Sequence, residues 1–165
     1  MTMAEPQKKD LLQEVTDETR ADARKLIEGS RSASLATLDP GTGHPMCSRT
    51  GLATDQQGRP VFLMSSLSGH HAALVSDPRA SMLIGEPGSG DPLAYERISI
   101  SGVAAQVVDE TDRAAVREAY LAKHPKSKLY IDFKDFTFWR LNPERAGYVV
   151  GFGKAYLLSA SDLDI

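Results

Sequence analysis

Residues 65–71 read SSLSGHH: three serines, a glycine and two adjacent histidines directly after the apolar run VFLM. Three chemistries use such residues: metal ligation, nucleophilic hydrolysis and anion binding. Metal ligation is disfavoured by geometry. Neighbouring residues on a helix point about 100° apart, so His70 and His71 cannot chelate one ion from a helical backbone. His44 and His124 are distant in sequence, and no H-E-x-x-H spacing occurs. Solvated helix-end histidines are the plainer reading. A serine hydrolase needs a G-x-S-x-G elbow after a strand, and SSLSGH lacks the first glycine in register. Cys47 has His44 nearby, but it falls in a strand, where a small half-buried cysteine is commonplace.

Anion binding fits better. A strand running into Ser65 and Ser66, then Gly69 opening a helix, offers hydroxyls and free backbone N–H groups to a phosphate, and the helix dipole adds to them. His70, in the first turn, donates to phosphate when protonated. Arg49 and Arg97, on other strands, could complete the cradle. The plainer reading of two lone strand arginines is that they face solvent.

Elements must hold these groups in place. Leu11, Leu12, Val15, Ala23, Leu26 and Ile27 have helical spacing, predicting a helix over 11–28 that stops at Gly29. Thr16 followed by Thr19 is a start signal inside it, with Asp17 and Glu18 well placed against the dipole. After Gly29 the period becomes two. Strands are expected at 32–38, 46–54, 61–66 and 81–86, with a short helix over 67–77 that Pro78 terminates. Residues 86–96 read as a loop. A strand follows over 98–109, and Gly102 in its middle signals a bulge or a close backbone approach. ETDRAAVREAYLAKHP reads as a helix capped by Thr111, with Ala115, Val116, Ala119 and Tyr120 on one face. Three closing strands follow at 136–141, 146–152 and 155–160. Strands that adjoin in sequence argue for a mainly β (α+β) chain: an antiparallel barrel or bent sheet with peripheral helices.

The bulk numbers frame this reading. At 165 residues, 41% hydrophobic and 25% charged, the chain reads as a single domain over 11–165 behind a loose polar segment at 1–10. A net charge of −3 argues against nucleic acid as a partner. The single cysteine excludes an intramolecular disulfide and a Cys-rich zinc module. No apolar run is long enough to span a membrane and the first residues lack a signal-peptide pattern, so the expected location is the cytoplasm.

The ordered set P-x-x-S, G-x-P, S-x-L-x-x-H, DPR-x-S, R-x-x-x-x-G and GFG-x-A, spread over about residues 23–160, resembles the FMN-binding split-barrel family of pyridoxamine 5′-phosphate oxidases. Within it the chain is most similar to the haem-utilisation (HugZ-type) branch. The resemblance implies an antiparallel split β-barrel that dimerises with FMN at the interface. It implies that Ser48, Arg49 and Thr50 line the flavin and reach its phosphate. Met64 and Ser65 would add backbone and hydroxyl contacts. Gly69 would open the phosphate-binding turn, and His70 stands where the oxidases carry a phosphate-binding lysine. Arg97 would be a further flavin contact, and Trp139 or the GFGK segment with Lys154 would approach from the partner subunit. Two departures stand out. The oxidases' arginine and lysine, five apart, are Ser48 and Ala53 here, and the R-x-H-D-R substrate motif is replaced by LNPERAGYVV. Pyridoxamine 5′-phosphate oxidation is therefore not expected.

The implied function is an FMN-dependent oxidoreductase acting on a flat small molecule, with the redox chemistry in the flavin. The alternative is a haem- or tetrapyrrole-binding or haem-utilisation protein without flavin turnover, its axial ligand drawn from His44, His71, His124 or Cys47. A third reading is a barrel that serves only as a structural dimer.

Overall fold

The computed structural model describes residues 12–165, so the expected loose segment 1–10 and Leu11 lie outside the described residues. The first helix, α1 (Asp17–Gly29), begins later than apolar spacing alone suggests. Thr16 closes a reciprocal capping box with Thr19, its hydroxyl accepting from the Thr19 N–H at 3.2 Å. The residues before it are drawn elsewhere: Leu12 forms a parallel bridge to Ala155, and the Gln13 N–H donates to the Ala155 carbonyl at 2.8 Å. A tertiary strand contact has overridden helical periodicity.

The strands are β1 (Ser32–Leu38), β2 (Pro45–Gly51), β3 (Ala53–Thr54), β4 (Pro60–Ser65), β5 (Arg79–Ile84), β6 (Arg97–Gln106), β7 (Phe136–Val149) and β8 (Ala155–Ser159). Two further helices, α2 (Gly69–Ser76) and α3 (Glu110–Lys123), complete the regular structure. The sheet runs β2-β1-β5-β6-β7-β4-β3, with β8 on β7, and every ladder is antiparallel. This is the expected antiparallel split barrel with helices at its periphery.

Three local expectations change. The stretch 46–54 breaks at Leu52 into β2 and β3, and α3 is capped by Asp109, whose carboxylate accepts from the Asp112 N–H, rather than by Thr111. The stretches 136–141 and 146–152 form one strand, because Pro143 falls opposite Gly102, where the β6–β7 register shifts. The ladder slips by a bulge there, so a proline without an N–H is tolerated inside a long strand. The approach needs glycine: a Cβ at 102 would stand 2.0 Å from the Asn142 carbonyl oxygen.

The core lies on both faces of β4, which explains its unbroken apolar run. Phe62 and Met64 point into the barrel with Leu35, Met82, Ile100 and Tyr148. Val61 and Leu63 point the other way, under α3, with Val116, Tyr120, Ile131 and Phe138. Each fully buried large side chain contributes about 1.5–3 kcal/mol. Arg140 bridges Asp112 of α3 at 2.8 Å and Asp55 of the β3–β4 turn at 2.6 Å, tying that helix to the barrel.

Candidate functional site

The β4–α2 junction forms as its sequence implies. Ser68 caps α2, its hydroxyl accepting from the His71 N–H at 3.3 Å and donating to the Ser65 carbonyl at 2.7 Å. Asp135, far along the chain, engages both Ser65 and Ser66 at the end of β4. The Ser65 hydroxyl donates to the Asp135 carboxylate at 2.8 Å and accepts from the Leu67 N–H at 3.2 Å. The Ser66 N–H donates to the Asp135 carbonyl at 2.6 Å. A carboxylate therefore already faces the hydroxyl that a phosphate would seek.

Around this junction the fold gathers Met64, Ser65, Gly69, His70 and Trp139. A Cβ on Gly69 would lie 3.5 Å from the Met46 methyl, so the start of α2 rests against β2. His70 is half-buried, and burial, with a smaller contribution from His71, lowers its pKa. The His71 ring meets Trp139 edge-on, with centroids 5.5 Å apart. Trp139 is 5% exposed, and its indole N–H donates to the Thr137 hydroxyl at 3.1 Å. Met64 is likewise core. Trp139 thus packs inside its own protomer.

The other residues lie elsewhere. On β2, Ser48 and Thr50 alternate inward, half-buried and buried, whereas Cys47 and Arg49 face outward and exposed. The expected half-buried cysteine is thus a surface thiol. Arg49 lines an outer-face cavity of about 280 Å³ with Ser32, Ser34, Leu83, Gly85 and Glu86. Arg97, at the start of β6 beside Gly85, spends Nη1 on the carbonyls of Leu93 and Tyr95 at 3.1 and 3.2 Å. Lys154 is exposed in the β7–β8 turn, between glycines at φ 66° and 75° on one side and β8 on the other. The ten residues therefore fall into an inner group at α2, the inward pair Ser48 and Thr50 on β2, an outer pair Arg49 and Arg97, and Lys154 at a hairpin tip.

The candidate axial ligands are scattered too. His44 is exposed in the β1–β2 turn, and His124 Nε2 sits 2.8 Å from the Leu52 carbonyl, a contact that makes it a donor. Among the described residues no histidine or cysteine lines the Arg49 cavity. Sequence reasoning missed Asp135, which carries no local signal, and Leu83 and Gly85. The outward small positions of SASLATL were the available clue to that face.

The family described as CREG, beta-barrel, matches residues 14–163. A chloroplastic heme oxygenase of Arabidopsis thaliana, HOZ, is 40% identical over 81% of this chain, which spans 41% of that protein's length. Heme oxygenase HutZ of Vibrio cholerae is 30% identical over 81% of this chain and is covered over 77% of its own length. The solved structure of a heme binding protein from Mycobacterium smegmatis superposes with a TM-score of 0.81 at 30% identity, covering 93% of this chain and 62% of that one. These relatives are named for haem and not for flavin. That overturns the expectation of an FMN flavoprotein oxidoreductase. Its physical counterpart is the Asp135 carboxylate standing at Ser65, where a flavin phosphate would need an unopposed donor. Among the described residues no helix is long and apolar enough to cross a membrane.

Proposed function

This chain belongs to the CREG β-barrel family of split barrels, and from that premise we propose that it handles haem, binding it as the substrate of oxidative breakdown. The observation that carries this reading is the 40% identity to HOZ over 81% of the chain. Haem needs a flat apolar seat, cations for its two carboxylates and a ligand for iron. The outer face supports the second and, through Leu83, Gly85 and Pro87 among polar neighbours, part of the first. Cross-strand register lines up Arg49, Ser34, Leu83 and Ser99 in one row, so small side chains let a planar ring approach the sheet. Arg49 is exposed and forms none of the ion pairs among the described residues, and its planar fork suits a carboxylate. Arg97 retains its second terminal nitrogen for the other carboxylate.

One protomer does not enclose the ligand. Its cavity of about 280 Å³ falls below the roughly 300–1,000 Å³ typical of small-molecule sites. A second copy packed on the same face would close it, which is the homodimer that the family resemblance implies. The cavity lining leaves the axial position to a residue outside it. Bound haem supplies the iron and is the molecule consumed, while the protein orients the ring and excludes water.

The test is a haem titration followed by absorption, then addition of a reductant under air. The expected result is a saturable Soret band that bleaches with release of iron. Arg49→Ala should weaken binding by about tenfold or more, as loss of a charge-assisted hydrogen bond does. A chain that develops no Soret band, or that loses nothing with Arg49→Ala, overturns the proposed site.

A further inference from the structure

We propose that the end of the barrel formed by residues 126–134, together with Leu67, docks peripherally on an anionic lipid surface. The segment between α3 and β7 is a chain of tight turns anchored from within by Ser127 and Ile131, 1% and 0% exposed. The N–H groups of Tyr130 and Ile131 both donate to the Ser127 carbonyl, at 2.9 and 2.8 Å, and the Phe133 N–H donates to the Tyr130 carbonyl at 2.9 Å. This hydrogen-bonded frame holds apolar side chains outward: Leu129 is 79% exposed, Phe133 57% and Tyr130 38%. Tyr130 and Phe133 flank Phe136, with ring centroids 5.1 and 6.4 Å away. Leu67, 86% exposed, belongs to the same end, because the preceding Ser66 N–H donates to the Asp135 carbonyl at 2.6 Å. Isolated surface leucines are ordinary; several held together on a rigid frame mark an interaction site.

Charge selects the occupant. Lys126, Lys128 and Lys134 are exposed among these side chains and form none of the ion pairs among the described residues. The two acids of the segment are engaged, Asp132 with Arg117 at 2.6 Å and Asp135 with Ser65 at 2.8 Å. The patch is therefore positive on a molecule whose net charge is −3. Lysines set among protruding Tyr, Phe and Leu are the composition of side chains that enter a headgroup layer, where the rings sit at the interface and the cations meet anionic lipid. Protruding knobs suit a deformable bilayer better than a folded partner, which would need matching concavities. The proposed attachment is to the surface, through these side chains alone.

The experiment is co-sedimentation of the full chain with phosphatidylcholine vesicles, with and without added phosphatidylglycerol. Wild type should sediment with the anionic vesicles only, and less as salt rises and screening shortens. Each lysine changed to glutamine should lower the partition about fivefold, and Phe133→Asp should abolish it with an unchanged melting temperature. Leu93→Asp, at an exposed leucine beside the opposite end of β7 (Arg97 pairs with Val149), should leave it unchanged. The lysine variants alter surface groups, so a folded and still fully binding triple variant overturns the proposal. Equal sedimentation with neutral vesicles, no sedimentation at all, or retention on an immobilised acidic peptide in place of vesicles would each do the same.

Discussion

His70 stands half-buried in the first turn of α2, and burial lowers its pKa, with His71 adding to the effect. The unfolded chain therefore takes up the proton first as the solution is acidified. The stability held by neutral His70 is complete above the unfolded imidazole value of about 6.5 and is lost as pH falls from there through the folded pKa. His70→Gln should flatten the fall in melting temperature between neutral and mildly acidic buffer; an unchanged slope would place the titrating group elsewhere. Asp162 works in a separate window. The Ser159 backbone N–H, then Arg20, hold its carboxylate down to about 2, so its contribution persists above about pH 4 and fades only below. Two residue types with opposite charge thus lose stability on acidification at distinct pH values.

At the scale of elements, the longest pairing in the sheet is β6 on β7, and it turns on Gly102. The neighbours that an added Cβ would meet are backbone atoms of Asn142 and Pro143, at 2.0 Å from the nearest oxygen, so no side-chain rotation relieves the clash. Gly102→Ala should cost about 3 kcal/mol and lower the melting temperature by several degrees. Gly29→Ala, at the end of α1 with nothing within 4 Å of an added Cβ, is the control and should be neutral or slightly stabilising. Comparable melting curves for the two variants would show that the bulge relaxes freely. The bulge was legible from one glycine inside an alternating strand, but its consequence was not. Pro143 read as a break between strands because its pairing partner lies about forty positions earlier, beyond any local pattern.

For the whole molecule, the proposed second copy would pack on the outer face of the sheet. One cross-strand row runs Arg49, Ser34, Leu83, Ser99, Gly147, Leu157, and its leucines are 46% and 57% exposed. Small residues make that surface flat and the leucines make it adhesive, the conditions for two sheets to stack. Sedimentation equilibrium should return twice the 17.9 kDa chain mass, and Leu83→Asp should return a single chain with weakened haem binding. A monomeric wild type would remove the second copy from the proposed haem site.

The sequence by itself determined the kind and order of most strands and helices, though not the start of α1 or the continuity of β7, because alternation, capping residues and glycines act over a few neighbouring positions. It also marked the serines, histidines and arginines worth following. Tertiary structure alone decided how they meet. Ser65 is engaged by Asp135, 70 positions away, only because β4 registers on β7. Arg49 joins Leu83 rather than Ser65 because one step of strand alternation sends neighbouring side chains to opposite faces of the sheet.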